Sequence, residues 1–294
     1  MQIAFDTTED LSNAVDELFH HFPALLYYHL DSVAPFPGIQ SHNGIEMYYI
    51  EAGFGNYLVG DQVYPLKPGT LMIIRPYTLH KVLQTDVDPI ICRNVLMWKE
   101  AFIKDSWNEP LPYPLDDLPG DSCRVQFPPE LQGRITNLYS SIHHELTRRN
   151  RGYEAVVHCL IKELLLLTYR QFHEEDKENR LQSHNDLPEE ISFLVQYIGS
   201  NFHHDISLKE LGRLVHLNPS YLSSAFHKYA GLTIMKFIAV KRLHHAKKLL
   251  RETKLSVTEI AYLSGFNSHS YFISMFKKTE NQTPASYRRQ YNRT

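Results

Sequence analysis

His42 and Glu46, four residues apart, and His80 in a separate short segment carry imidazole and carboxylate groups that bind metals, protons and polar ligands. They stand in the patterns Gln40-x-His42-x-x-x-Glu46, followed by Gly53, and Pro76-x-x-x-His80. On a strand, alternation puts Gln40, His42 and Glu46 on one face. A later strand bringing His80 across would complete a nitrogen-and-carboxylate cluster suited to zinc, iron, nickel or manganese. The same four side chains suit an effector pocket, and ordinary buried, hydrogen-bonded histidines remain a third reading. Cys92, Cys123 and Cys159 are widely spaced and form no CxxC pair, so neither a disulfide framework nor a zinc knuckle is expected.

The elements that would position these groups are short strands. Residues 23–115 hold aromatic and β-branched runs (IEMYYIEAG, NYLVG, QVYPL, TLMIIRP) punctuated by Gly, Pro and Asn-Gly. Such spacing favours a barrel or jelly roll. Tyr27, Tyr28, Tyr48, Tyr49, Tyr57 and Tyr64 lie on or near these strands; their rings suit sugar binding and barrel cores equally. From Pro129 the period changes. Leu131, Ile135, Leu138, Ile142 and Leu146 mark one helix, and Val156, Val157, Leu160, Ile161, Leu164 and Leu165 mark a second over about 153–172. These stripes suit either packing on the barrel or a dimer contact. The polar segment EEDKENRLQSHNDLP reads as a linker. The expected domains are 1–174, a linker over 175–187, and an all-helical domain over 188–294.

The C-terminal part contains an internal repeat. Ile206-Ser-Leu-Lys-Glu-Leu-Gly-Arg-Leu aligns with Leu255-Ser-Val-Thr-Glu-Ile-Ala-Tyr-Leu, and Tyr221-Leu-Ser-Ser-Ala-Phe-His-Lys with Tyr271-Phe-Ile-Ser-Met-Phe-Lys-Lys. Each copy opens on a capping-box pair, Ser207 with Glu210 and Ser256 with Glu259. Each second helix starts at a polar cap, Asn218 before Pro219 or Ser268, and ends at Gly231 or Asn281. Two short helices joined by a tight turn form a helix-turn-helix. Leu211, Leu214, Leu222 and Phe226, with Ile260, Leu263, Phe272 and Phe276, are its expected core. A helix over about 233–251 separates the copies, about 28 Å long, near the roughly 34 Å of one duplex turn.

Residues 191–289 resemble the AraC/XylS DNA-binding domain. The resemblance rests on Ser207-Leu208-x-Glu210-Leu211, Tyr221-Leu222-Ser223-x-x-Phe226-x-Lys228-x-x-Gly231, Arg242-x-x-x-Ala246-x-x-Leu249-Leu250-x-x-Thr253, Glu259-Ile260-Ala261-x-x-x-Gly265-Phe266, Phe272-x-x-x-Phe276-Lys277-Lys278 and Thr283-Pro284-x-x-Tyr287-Arg288. It implies two helix-turn-helix subdomains on double-stranded DNA. Ser220, Ser223 and Ser224 would face bases in the first, and His269, Ser270 and Ser274 in the second. Relatives often carry Arg or Gln there, so these serines leave more of the readout to neighbours such as His227 or to DNA shape. Lys228, Lys277 and Lys278 suit phosphate contacts. Lys241, Arg242, Lys247 and Lys248 on the spacer helix are open between DNA contacts and a solvated face.

Residues 25–85 resemble the cupin pattern, in which two His, a Glu and a later His surround a metal in a small barrel. Gln40 stands where the first His would be. That weakens a metal site, leaving His42, Glu46 and His80 as its ligands, and favours Gln40, His42, Glu46 and His80 as an effector pocket. The resemblance implies a small effector, often a carbohydrate.

The net charge of −3 conceals an asymmetry: residues 190–294 hold 15 Lys and Arg against 6 Asp and Glu. A basic end beside an acidic remainder points to a polyanion partner for one end only. The N-terminus lacks a basic, then apolar, leader and the apolar run LIKELLLLTY is too short to span a bilayer, so a cytoplasmic protein with no membrane partner is expected. The fold expected is two-domain α+β: a cupin-like barrel with helices, then an all-α double helix-turn-helix. The function expected is a non-enzymatic transcription regulator, an activator, that responds to an effector and acts as a homodimer with RNA polymerase. Two alternatives stay open: a metal-dependent cupin enzyme fused to a DNA-binding domain, and a ligand-independent dimeric DNA-binding protein.

Overall fold

A computed structural model of the chain describes residues 15, 17–19, 21–31, 39–83, 91–118, 120, 122–175 and 188–291. Apart from Glu175, the expected linker lies outside them. The chain divides into two compact units, Met1–Asp186 and Leu187–Thr294.

Among the described residues the first unit holds eight strands: β1 (Ala24–Leu30), β2 (Ile45–Ala52), β3 (Gly55–Val59), β4 (Gln62–Leu66), β5 (Thr70–Ile74), β6 (His80–Leu83), β7 (Cys92–Trp98) and β8 (Ser122–Gln126). Two short helices, α1 (Glu100–Lys104) and α2 (Pro114–Asp117), precede β8, and two long ones, α3 (Pro129–Arg148) and α4 (Tyr153–Glu174), follow it. The strands form a five-stranded sheet in the order β1-β7-β2-β5-β8 and a three-stranded sheet in the order β4-β3-β6. Every pairing is antiparallel.

The apolar residues of β2 divide between two cores. Tyr48 and Ile50 point between the sheets, where they meet Tyr57, Val59, Met72, Val82 and Val95. Ile45, Met47 and Tyr49 point the other way and pack with Ile135, Leu138 and Tyr139 of α3 and with Ile161 and Leu164 of α4. A sheet covered on both faces reads as continuous burial rather than alternation, and six consecutive residues of β2, Ile45–Ile50, are buried. The helix periods place Ile135, Leu138 and Ile142 on the sheet, while Leu131 and Leu146 reach only its margin. In α4, Val157, Ile161, Leu164 and Leu165 face inward, and Val156 stays 44% exposed.

The second unit is helical: α5 (Glu189–Asn201), α6 (Leu208–Leu214), α7 (Pro219–Ala230), α8 (Ile234–Glu252), α9 (Val257–Leu263), α10 (His269–Glu280) and α11 (Pro284–Tyr291). The helix ends follow the polar residues. Asn218 accepts from Ser220 N–H, Ser268 from Tyr271 N–H and Thr233 from Lys236 N–H, and α7 and α10 close on the left-handed Gly231 and Asn281. The full capping box forms in the second copy, where Ser256 Oγ accepts from Glu259 N–H at 3.1 Å and the Glu259 carboxylate accepts from Ser256 N–H at 2.8 Å. In the first copy Ser207 accepts from Glu210 N–H at 3.2 Å without the return bond.

Two expected core positions are not core. Leu214 and Leu263, which correspond in the repeat, are both largely exposed. Each ends a seven-residue helix, one turn beyond the buried Leu211 or Ile260, where the chain has begun to turn away.

Candidate functional site

The cavity between the two sheets is lined by Gln40, His42, Glu46, Tyr57, His80 and Arg93, among others. How the first three converge differs from simple alternation. Gln40 pairs with His80 as an isolated bridge, its N–H donating to the His80 carbonyl at 2.8 Å and its carbonyl accepting from His80 N–H at 3.0 Å. The His42 carbonyl accepts from Tyr77 N–H at 2.7 Å, and the Asn43-Gly44 turn then leads into β2. A turn thus separates Gln40 and His42 from Glu46, which the sequence pattern had placed on one strand.

Glu46 is the centre. Its Oε2 accepts from His42 Nε2 at 3.0 Å and lies 3.5 Å from His80 Nε2, while its Oε1 accepts from Tyr57 Oη at 3.0 Å. All four side chains are buried. His80 Nδ1 lies 2.8 Å from the Thr78 carbonyl, an acceptor, so Nδ1 carries the hydrogen. In neutral His80 the Nε2 lone pair therefore confronts a carboxylate oxygen, an arrangement that favours a proton or a cation between them. His42 Nδ1 is buried without a hydrogen-bond partner.

Burial alone would raise the Glu46 carboxyl, but the His80 ring and the hydrogen bonds from His42 and Tyr57 outweigh it and hold the group below its ordinary 4.5. Burial lowers His80 from its ordinary 6.5, against the opposing pull of Glu46. Burial and then Glu46 push the Tyr57 hydroxyl well above its usual range, so it stays a donor. The linkage has one sign for both groups. The unfolded chain binds more protons than the folded one, so stability is fully present above 6.5 and falls as pH drops through the lowered His80 value. A further loss follows below 4.5 as Glu46 protonates. Both tryptophans, Trp98 and Trp107, lie in the first unit, so tryptophan fluorescence follows this unit alone. Its melting temperature is expected to fall on acidification between those two values, and His80→Gln to flatten that fall. An equal slope in the two proteins would remove His80 as its source.

Sequence reasoning missed Arg93 and left Tyr57 among six undifferentiated tyrosines. Arg93 is buried on β7 with its guanidinium 5.7 Å from the centre of the Tyr48 ring. No motif marks it; only its inward position on β7 would have. Of the other tyrosines, Tyr49 stacks on Tyr139 in the helix-side core, Tyr28 stacks on His143 and Tyr64 bonds to Ser122.

In the second unit, α7 and α10 repeat the same exposure pattern. Leu222 and Phe226 are buried in one, Phe272 and Phe276 in the other. Ser220, Ser224, His227 and Lys228 are exposed, as are Ser270, Ser274, Lys277 and Lys278; Ser223 and His269 are half-buried. The Ser224 hydroxyl donates to the Ser220 carbonyl at 3.1 Å, which leaves its oxygen as an acceptor. The spacer-helix cations divide. Lys248 is exposed, but Lys247 is buried against Glu280 at 2.8 Å, Lys241 is buried, and Arg242 donates to the Phe202 and His204 carbonyls at 2.7 Å each. Lys241 and Lys247 are therefore no part of a solvated face, and Arg242 spends its donors inside the domain.

The chain matches the AraC-like ligand binding domain over residues 36–184 and a helix-turn-helix domain over 211–290. It is 25% identical over 256 residues to the HTH-type transcriptional activator RhaR of Mannheimia succiniciproducens, covering 86% of this chain and 87% of that one. It is 35% identical over 98 residues to the bifunctional transcriptional activator/DNA repair enzyme AdaA of Bacillus subtilis, covering 33% of this chain and 46% of AdaA, so it spans under half of that relative. A solved Listeria innocua protein of unknown function is 36% identical, covering 35% of this chain and 97% of that one, with a TM-score of 0.33. Among the described residues no helix is long and apolar enough to cross a membrane. The chain belongs to the AraC family of DNA-binding transcription regulators, with an AraC-like ligand-binding domain ahead of a helix-turn-helix domain.

Proposed function

We propose that this regulator is a cytoplasmic activator that acts as a homodimer, engages RNA polymerase at its operator and responds to a small polar effector of the carbohydrate class. The observation that carries the effector reading is Glu46, a buried carboxylate facing a cavity rather than a solid core. Sugar hydroxyls can donate to Glu46 in place of His42 and Tyr57, Arg93 supplies donors, and Tyr48 supplies an aromatic face. The half-covered stripe of α4 around Val156 suits the dimer contact. The test is thermal unfolding of the full chain, followed by tryptophan fluorescence, against sugars and sugar phosphates. A ligand at about one hundred times its Kd stabilises the folded state by about 2.7 kcal/mol. One sugar should raise the transition in the wild type and leave Glu46→Gln unmoved. A shift retained in Glu46→Gln would place the effector elsewhere, and no shift with any sugar would overturn the carbohydrate class.

On DNA, Ser220, Ser223, Ser224 and His227 of α7 and His269, Ser270 and Ser274 of α10 are the proposed base-facing set, with Lys228, Lys277 and Lys278 on phosphates. Replacing Lys228 or Lys277 with Ala should weaken binding to every sequence alike and reduce the slope of log affinity against log salt by about 0.9. An unchanged slope would remove that lysine from the phosphate contacts.

A divalent transition metal at His42, Glu46 and His80 is the second reading. It is favoured by three ligand atoms within 4.8 Å of one another and by the His80 Nε2 lone pair aimed at Glu46. The residues fit such an ion as a three-ligand set. The Thr78 carbonyl orients His80 in the way a backbone acceptor fixes a metal-binding imidazole. A metal there would supply a Lewis-acidic point for a hydroxyl-bearing effector. Chelator-induced loss of stability that disappears in Glu46→Gln would support it.

A further inference from the structure

The far end of the five-stranded sheet carries a second group of metal-binding side chains that shares no residue with the Glu46 cluster. His29 on β1, Glu51 on β2 and Cys92 on β7 bring their ligand atoms within 4.8 Å of one another. His29 Nε2 lies 2.8 Å from Glu51 Oε2, and Cys92 Sγ lies 3.8 Å from the same oxygen.

Two irregularities aim these side chains. β7 runs between β1 and β2, and both neighbours slip by one residue at the same level. In β1 the register passes from Tyr27↔Val95 to Leu30↔Arg93, so one extra residue stands in β1. His29 takes up the slip at φ 54°, a left-handed conformation uncommon for any residue with a Cβ. In β2 the register passes from Ile50↔Arg93 to Ala52↔Cys92, and the extra residue is Glu51. A bulge re-aims the side chain it carries. Here two bulges flank one strand and bring a histidine and a glutamate together beside its first residue, a cysteine.

Asn94 fixes the result from below. It is fully buried, donates Nδ2–H to Glu51 Oε1 at 2.6 Å and accepts the His29 backbone N–H on Oδ1 at 2.9 Å. One amide thus holds both bulged residues and ties up Glu51 Oε1. Oε2 is left toward His29 and Cys92. The His29 side chain is 50% exposed, which gives an ion a path in and a water a coordination position.

We propose that His29, Glu51 and Cys92 form a zinc site with three protein ligands, and that Asn94 is its positioning residue. A thiolate, an imidazole and a carboxylate are together a zinc-type donor set; sulfur and nitrogen donors exclude calcium and magnesium. Binding converts the Cys92 thiol to thiolate and releases its proton to water. The ion bridges β1 and β2 across β7, and so ties the sheet at its bulged end.

The test is titration of the reduced full chain with cobalt(II), which takes zinc geometry and reports a sulfur ligand through a thiolate-to-metal charge-transfer band. The expected result is one equivalent bound with that band and displaced by zinc. The band should be lost in Cys92→Ser and kept in Cys123→Ser, Cys159→Ser and Glu46→Gln, the last of which separates this site from the barrel cavity. His29 is exposed enough that His29→Gln keeps its fold, and it should bind cobalt at least about tenfold more weakly. Asn94→Ala should weaken binding by about 10–100-fold while the band survives at saturation, the mark of a group that acts through the ligands. Absence of the band from the wild type, or its persistence in Cys92→Ser, would overturn the site. Unchanged cobalt affinity in His29→Gln would do the same.

Discussion

Glu280→Gln should lower the stability of the helical domain by about 3–5 kcal/mol, the cost of leaving a buried charge without its partner. Glu280 ends α10 and receives the Lys247 ammonium of α8 at 2.8 Å on one oxygen and 3.0 Å on the other. Both side chains are largely withdrawn from water, and the ammonium also lies 5.7 Å from the centre of the Tyr287 ring. The comparison with ordinary contacts sets the scale: a helix cap such as Ser256 contributes about 1 kcal/mol. The charge is the problem, not the space. Lys247→Met combined with Glu280→Leu should therefore recover the loss and come out neutral or more stable. Urea denaturation followed by circular dichroism separates the outcomes, because the tryptophans report only the first unit. A Glu280→Gln transition coincident with the wild type would mean that water reaches the pair.

The second large effect lies in the turn between α9 and α10. Gly265 has φ 85°, where an L side chain is strained. A Cβ there would come within 2.7 Å of the His203 Cα and 2.9 Å of the Phe202 carbonyl oxygen, both backbone atoms, and 2.9 Å of Arg242 Nε. Gly265→Ala must therefore bear the left-handed strain and also push back the end of α5, which Arg242 holds by its carbonyls. A loss on the order of 3 kcal/mol is expected, the upper end for a single strained position, with DNA binding weakened in parallel. Gly133 is the control. It stands in α3 with open space at its Cβ position, and Gly133→Ala should raise stability by about 0.5–1 kcal/mol. Equal behaviour of the two substitutions would show that the close approach at Gly265 relaxes freely.

The helical half was legible because its signals are local. Asn218, Thr233, Ser256 and Ser268 cap where they stand, Gly231 and Asn281 close the helices they follow, and the buried Phe226 and Phe276 mark equivalent turns of the repeat. Leu214 and Leu263 show where that reasoning ends, since helical period says nothing of the last turn of a short helix. The charges of α8 were legible as charges but not as partners: nothing in the sequence couples Lys247 to Glu280, thirty-three residues away. In the barrel, the Gln40, His42, Glu46 and His80 set was readable as a group of residue types, but its strand parity was not. The Asn43-Gly44 turn breaks the alternation, and Glu46 meets His42 across that turn. Arg93, Tyr57 and the His29, Glu51 and Cys92 group depend on register, and register shifts at two bulges are fixed by pairing across strands.

The spacer helix α8 has one more consequence, in residue count. A helix is a screw, with about 100° of rotation and about 1.5 Å of advance per residue. One residue added to its nineteen would swing α9 and α10 about a third of a turn around the axis relative to α7. Four residues would nearly restore the heading but displace it by about 6 Å. Permissible lengths of this segment are therefore discrete. Substitutions at its exposed positions are graded events, whereas insertions and deletions are all-or-none, and the phase between α7 and α10 is inherited as an integer.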